Sequence, residues 1–252
     1  MSNAGRPAIR HVASVERAIA VLDALACSSR DLGTNEIARR TGINPSSVSR
    51  LLGTLTGGGL VSHVVETGRY RLGLRLIQLG NAALERLDLR EVARPHLTAL
   101  AEATGETATL SVPGEGEAIT LDFAGSASSV QSVARLGRPS VPHATAVGKV
   151  LLAHNREMPR RPLESYTDHT ITDLELLAAE VALTTERGWA ESVGEREADL
   201  NAIAVPAVSG EGDLRAILGL QGPAARFDSD AMQAAVRLLL DSAAKISMEW
   251  TR

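Results

Sequence analysis

The sequence predicts an α+β protein in two parts, a small helical unit ending in a β-hairpin and a larger antiparallel sheet flanked by helices. Three observations carry that expectation. The 252 residues exceed a typical single domain, which favours two compact units. Helical patterns and a hairpin come first, whereas strand-like runs cluster in the remainder. The charge is also divided. Through Arg90, twelve Arg and no Lys face seven acidic residues, a balance of +5, while 14 basic and 23 acidic residues give the rest a balance of −9. A positive small unit suits a phosphate backbone, and an acidic larger unit is repelled by one and must do something else.

Composition narrows the class. Hydrophobic residues at 44% and charged ones at 22% suffice for packed cores and argue against wholesale disorder. No apolar run reaches the roughly 18 residues of a membrane span, and MSNAGRPAIR lacks the apolar stretch of a secretory signal, so a cytoplasmic protein with no membrane partner is expected. Cys27 is the single cysteine, which excludes an intrachain disulfide; lying in an apolar helical pattern, it is expected to be a buried thiol. The six aromatics, Tyr70, Phe123, Tyr166, Trp189, Phe227 and Trp250, are too few for a base-stacking surface. If nucleic acid is bound, duplex DNA is the candidate.

In the first part, Ser14 is the expected N-cap of a helix with Val15, Ile19, Leu22 and Leu25 at helical spacing, broken over residues 28–33. A short second helix, capped by Thr34, turns Ile37 and Ala38 inward and stops at Gly42, which tolerates the left-handed conformation. Asn44 caps a third helix with Pro45 in its first turn, and the glycines at 57–59 end it. Residues 60–63 and 69–72, joined by a polar turn at 66–68, read as a hairpin. Three helices plus a hairpin is the order of a winged helix-turn-helix.

At about 100° per residue, Val48, Leu51, Leu52 and Leu55 cluster on one arc of the third helix, and Ser46, Ser49, Arg50 and Gly53 fall opposite. Small side chains permit close approach to a groove, hydroxyls donate to phosphate or base edges, and Arg50 reaches either. The helix N-terminus adds its positive pole. An ordinary solvated helix face fits the same pattern, but Arg69 and Arg71 alternate along the hairpin's second strand, which places both on one face of a wing. The candidate DNA-binding set is therefore Thr34, Asn44, Pro45, Ser46, Ser47, Ser49, Arg50, Arg69, Tyr70 and Arg71. Arg6 and Arg10 lie in a polar arm that either reaches a minor groove or is an untethered tail.

In the second part, residues 74–87 form a helical stretch whose apolar positions can pair with a second copy, and a further helix over 91–104 opens the larger domain. Strands are expected at 107–112, 118–123 and 129–134, the first two joined by the turn PGEGE. Thr172-Asp-Leu-Glu175 reads as a capping box that opens a helix to about Arg187. Strands at 201–208 and 215–221 flank the turn SGEGD, and a last helix covers 229–250. The expected organisation is an arm at 1–11, a winged helix-turn-helix at 12–73, a linker and dimerisation helix at 74–90, and an α+β domain at 91–252.

No catalytic constellation emerges. HATAVGKV contains a Gly-Lys pair without the glycine and Ser/Thr of a phosphate-binding loop. No G-x-S-x-G elbow occurs. The histidines at 11, 63, 96, 143, 154 and 169 have no metal-ligand spacing, so neither enzyme, metal nor cofactor is expected. The charge run EREAD at 195–199 reads as a solvent-facing loop.

In order, SVERAIAVLDAL, LGTNEIARRTGINPSSVSRLLGTLTGGGLV and GRYRLGLRLIQLG resemble the DNA-binding domain of the isocitrate lyase regulator (IclR) family of bacterial transcription factors. LGRPSVPHATAVGKVLLA at 136–153, RGWAESVGEREADLNAIAVPAV at 187–208 and LGLQGPAARF at 218–227 resemble its effector-binding domain. The resemblance runs from about Val12 to the C-terminus. It implies a homodimer, often a dimer of dimers, whose paired winged helices bind double-stranded operator DNA. It also implies a GAF-like C-terminal fold that holds a small molecule between its sheet and a loop-and-helix cover.

Residue by residue, the resemblance points to Ala146 and Val147 within HATAVGK as backbone ligands for a carboxylate. A helix begins there, so an anion would also meet the positive end of its dipole. Ala202 stands where some relatives have cysteine, and Gly219 and Gln221 where some have serine. Loss of side chains at Ala202 and Gly219 opens room and removes donors, so the expected effector is bulkier and more apolar than glyoxylate or pyruvate, a carboxylate or aromatic metabolite. Ser192 lies across the acidic loop. Arg135 either neutralises the carboxylate or is a solvated loop residue, and His143 either contacts effector or is a satisfied buried histidine. The expected function is a ligand-responsive DNA-binding regulator acting as a repressor; the alternative is a small-molecule-binding or enzymatic protein whose N-terminal helices serve dimerisation only.

Overall fold

The structure, a computed structural model, describes residues 12–84, 89–125, 128, 134–155, 157–160 and 162–250. The chain divides into two compact units, residues 1–86 and 87–252. The first contains α1 (Ala13–Ala26), α2 (Thr34–Thr41), α3 (Pro45–Gly57), a hairpin of β1 (Val61–Val64) and β2 (Arg69–Leu72), and α4 (Arg75–Leu84). Its core joins Val21 and Leu25 of α1, Ile37 of α2, and Val48, Leu52 and Leu55 of α3 with Leu32 and Val61. Each such side chain contributes about 1.5–3 kcal/mol on burial, which holds three short helices that would not persist alone.

Local signals set the helix ends, with three differences from expectation. The Asn44 side chain accepts the Ser47 amide at 2.8 Å and Pro45 follows, as the sequence suggests. Helix α1 instead starts at Ala13 behind Val12, which makes no side-chain cap, so Ser14 lies inside the helix. Gly33 rather than Thr34 occupies the cap position of α2, because Glu36 Oε2 reaches back to accept the Gly33 amide at 2.9 Å and needs no hydroxyl ahead of it. Cys27 is exposed, since it sits one residue past the end of α1 where the apolar period has run out. Val15 and Ile19 are also more than half exposed, and with Val12 they form a second apolar stripe beside the buried one.

The wing is fastened to the helices through its backbone. Leu32 and Tyr70 exchange both amide hydrogen bonds, 3.0 and 2.8 Å, so the segment before α2 joins the hairpin as a one-residue third strand.

The second unit holds α5 (Leu89–Thr104), β3 (Thr107–Pro113), β4 (Ala118–Ala124), α6 (Ala146–Asn155), α7 (Leu174–Arg187), β5 (Ala190–Val193), β6 (Leu200–Val208), β7 (Leu214–Pro223) and α8 (Ser229–Trp250). The five strands form one antiparallel sheet in the order β4-β3-β7-β6-β5, the α+β architecture expected. Strand alternation sorts its two faces. Ala108, Leu110, Ile203, Val205, Leu218 and Leu220 point to the side covered by α5 and α8. Thr109, Ser111, Ser192, Ala202 and Gln221 point to the other, where α6 packs through Ala146, Val150 and Leu151 onto Ala118, Ala190, Ala204 and Ile217. The small alanines let α6 approach closely and leave the adjoining sheet surface uncovered.

Helix α7 is capped by Asp173, whose Oδ1 accepts the Glu175 and Leu176 amides at 2.7 and 3.1 Å, so the start falls one residue later than the Thr172 box predicts. Strand β5 has four residues, too short to show a period. The arm at 1–11 with Arg6 and Arg10, the end of the expected 74–87 helix at 85–87, and residues 129–133 of an expected strand lie outside the described residues. Among the described residues no helix is long and apolar enough to cross a membrane.

Candidate nucleic-acid interface and effector cavity

On α3 the inward arc is buried through Val48, Leu52 and Leu55, while Ser46, Ser49, Arg50 and Gly53 are exposed. The packed and the exposed arcs of this helix are thus separated around its axis. The Arg50 guanidinium has no ion-pair or hydrogen-bond partner among the described residues, and a Cβ on Gly53 would meet open space. Asn44 is occupied as the cap, with Ser46 Oγ donating to the same oxygen at 2.8 Å, and Ser47 is half-buried with its amide in that cap. Pro45 is exposed in the first turn, beside the positive pole of the helix, and Thr34 is half-buried in the first turn of α2.

The wing arginines differ from each other. Arg71 is exposed, with no side-chain partner among the described residues. Arg69 is half-buried and donates from Nη1 to Glu36 Oε2 at 2.7 Å and to the Asp31 carbonyl at 2.9 Å. Glu36 also pairs with Arg30 at 2.7 Å. Its carboxyl is held below the usual range, first by the Gly33 amide and then by the charges of Arg30 and Arg69. Arg69 therefore binds the wing to α2 in this structure. Tyr70 packs against the core and against His63, ring centroids 4.7 Å apart.

In the second unit a cavity of about 860 Å³ opens over the sheet beside the start of α6, bounded also by the loop after β5. Five of the seven expected effector residues line it, namely Arg135, Val147, Ser192, Ala202 and Gln221. Ala146 and Gly219 do not. Ala146 is turned into the packing under α6. A Cβ on Gly219 would stand 2.7 Å from Thr109 Oγ1 and 3.4 Å from Val147 Cγ2, so the absent side chain opens no room: the facing threonine already fills it. The lining is mixed, since beside the apolar Val141, Val147 and Ala202, Thr109, Ser111 and Thr120 bring hydroxyls to the cavity from β3 and β4. Their signal was the alternation TATLS, which predicts a strand but not which face meets ligand.

HATAVGK builds the cavity's helical edge. Thr145 Oγ1 accepts the Gly148 amide at 3.0 Å and so caps α6. The Ala146 and Val147 amides, in the first turn, have no hydrogen-bond partner among the described residues. Gly148 is required because a Cβ there would lie 2.5 Å from Pro142 Cα and Val141 O. His143 resolves as a satisfied buried histidine: its Nε2 lies 2.8 Å from the Glu164 carbonyl, its ring stacks on Tyr166, and it lines a smaller neighbouring pocket instead.

The loop from Gly194 to Asp199 forms one wall, and a buried ion pair anchors it. Lys149, 1% exposed, donates to Glu195 Oε1 at 2.6 Å and to the Glu191 carbonyl at 2.9 Å. Thr170 Oγ1 donates to the Glu195 carbonyl at 2.6 Å. Within the charge run EREAD, Glu195 is thus buried rather than solvent-facing, and burial pushes its carboxyl upward against the pull of Lys149. Arg138 lies 3.6 Å from Glu197, and Arg196 stacks over the Tyr166 ring at 3.8 Å. No group of three or more metal-ligating side chains occurs among the described residues.

Comparison with known proteins decides what these two sites belong to. Residues 14–64 match the IclR helix-turn-helix domain, and residues 81–248 match the C-terminal domain of the bacterial transcriptional regulator IclR. The chain belongs to the IclR family. It is 31% identical over 242 residues to the HTH-type transcriptional regulator BhcR of Paracoccus denitrificans, covering 94% of this chain and 86% of that one. An IclR transcriptional regulator from Alicyclobacillus acidocaldarius superposes with a TM-score of 0.83 at 30% identity, covering 96% of this chain and 100% of that one. An IclR homologue from Microbacterium hydrocarbonoxydans, solved in complex with 4-hydroxybenzoate, superposes with a TM-score of 0.76 at 27% identity, covering 94% and 99%. Membership in the IclR family makes the protein a DNA-binding transcriptional regulator with a ligand-responsive C-terminal domain. An enzyme using its N-terminal helices for dimerisation alone is set aside.

Proposed function

We propose that this IclR-family protein is a cytoplasmic repressor that binds double-stranded operator DNA as a homodimer or dimer of dimers and releases it when an organic acid enters the sheet cavity. The observation that carries the reading is α3, where a buried Val48, Leu52 and Leu55 arc presents Ser46, Ser49 and an unpaired Arg50 outward from the helix's positive end. Arg71 on the wing supplies a backbone contact, while the half-buried Arg69 positions that wing. Pairing between copies is supported by the exposed apolar residues Val12, Val15 and Ile19 on and before α1 and by Leu74, Ile77 and Leu79 around α4. An acid as effector is supported by the free amides at the start of α6, by Arg135, and by the aromatic acid bound to the Microbacterium homologue.

A gel-shift with the DNA upstream of the protein's own gene tests this. The reading requires a retarded complex that forms on that fragment in preference to scrambled DNA and weakens steeply as salt rises. Equal affinity for both fragments would remove it.

A further inference from the structure

The chemistry of the cavity wall points past a generic acid. Thr109 and Ser111, on β3, are 6% and 2% exposed, and their hydroxyls have no hydrogen-bond partner among the described residues. Thr120 lies beside Ser111 in the register of β4, and Ser192 on β5 spends its proton on the Ala144 carbonyl at 3.2 Å, which leaves its lone pairs available. These four hydroxyls spread along the floor of one cavity and are set in place by strand register, not by mobile loops. Among the described residues no aromatic ring lines it. At one side stands Arg135, with no ion-pair partner among the described residues, and at another the Asp199 carboxylate.

We infer that the ligand of this cavity is a polyhydroxylated carboxylate of hexose size, a sugar acid. The inference rests on the regulator reading above and deepens it. One carboxylate meets Arg135 and the free amide of Val147 in the first turn of α6, opposite in sign to its charge. The ligand's hydroxyls meet Thr109, Ser111, Thr120 and Ser192, and Asp199 accepts from a hydroxyl while repelling a second carboxylate. An aromatic ring against Thr109 and Ser111 would strip water from buried hydroxyls and return nothing, and it would find no ring edge or face to stack on. A two- or three-carbon acid carries too few hydroxyls to meet all four of these side chains. A site built to bond hydroxyls rejects analogues lacking them far more strongly than an apolar site rejects a missing methylene.

The test is calorimetric titration of the full-length protein with a panel of hexonates (gluconate, galactonate and their 2-keto forms), 4-hydroxybenzoate, pyruvate and sorbitol. At least one hexonate is expected to bind ~10-fold or more tightly than the aromatic acid, the short acid or the neutral polyol. Thr109→Val and Ser111→Ala should each weaken that hexonate ~10-fold, and Arg135→Ala, at an exposed position, should do the same. Failure of every hexonate to bind, tighter binding of 4-hydroxybenzoate or pyruvate, or hexonate binding indifferent to all three substitutions would overturn the assignment. The gel-shift without ligand separates the two readings. Loss of operator preference sinks both, whereas operator complexes released by an aromatic acid sink only the sugar acid.

Discussion

Arg69 and Glu36 meet at 2.7 Å across 33 residues of chain, joining the second strand of the wing to the first turn of α2. The same carboxylate holds Arg30 and the Gly33 amide, so one acidic residue gathers the start of α2, the preceding loop and the wing. An arginine that the strand period assigns to the DNA face is drawn into the architecture of that face.

The Glu36 carboxyl is depressed in the folded state, so its contribution is present above its unfolded value, near 4.5, and is lost as pH falls through the lower folded value. Glu36→Gln should lower the melting temperature of the first unit at neutral pH and flatten its loss of stability in acid. Thermal melts from neutral pH down to about pH 3 check this. Superimposable melting curves for the two proteins across that range would show that the cluster holds nothing together.

Arg50 and Arg69 should separate by mechanism. Arg50→Ala is expected to weaken operator binding by about 1–3 kcal/mol if it reads a base, or to reduce the salt slope by about 1 if it holds a phosphate, with little change in melting temperature. Arg69→Ala should lower the melting temperature and lose affinity through a displaced wing. Anisotropy titrations at several salt concentrations, paired with melts, distinguish them. Operator affinity unchanged by Arg50→Ala would remove α3 from the interface.

Lys149 and Glu195 form the buried pair behind the cavity wall. Lys149→Met leaves Glu195 buried and uncompensated, at a cost on the order of 3–5 kcal/mol, and Lys149→Met combined with Glu195→Leu should recover much of it. Glu195 has its carboxyl raised by burial, so the preference of the folded state for its protonated form weakens stability as pH rises through the folded value. Removing the lysine should enlarge that trend. Denaturant titrations of both variants across pH measure it, and additive losses in the double variant would show that the two side chains are not coupled.

Gly219 should matter through Thr109. A methyl at Gly219 displaces a hydroxyl 2.7 Å away, so Gly219→Ala is expected to cost about 1–3 kcal/mol of stability, much of it relieved in the Thr109→Ala background. Urea melts of the double cycle supply the comparison; an equal cost in both backgrounds would mean that the crowding lies elsewhere.

What could be read from the sequence was local or periodic. Asn44, Pro45 and the Val48, Leu52, Leu55 arc act within one helix, so they specify α3 and its outward face without knowledge of the rest. Strands β6 and β7 announce themselves around a turn. The misplacements share a different cause. The strand period assigns Arg69 to the exposed face of the wing, yet its partner lies 33 residues away. Gly219 suggests empty space by its lack of a side chain, although Thr109 on the neighbouring strand fills it. Glu195 sits in a run of charges and is buried only because Lys149 of another element reaches it. Strand register and long-range pairing decide these cases, and neither is encoded in spacing.

The central claim is that α3 lies in a groove of operator DNA, and DNA cleavage from a reagent tethered to its outer arc measures that position. With the exposed Cys27 replaced by serine, Ser49→Cys carrying an iron chelate should cut the bound operator at two clusters, one per half-site, separated by about 10 base pairs or a multiple of it. Specific binding with no cutting from Ser49, but cutting from a chelate placed on the second unit, would contradict the account.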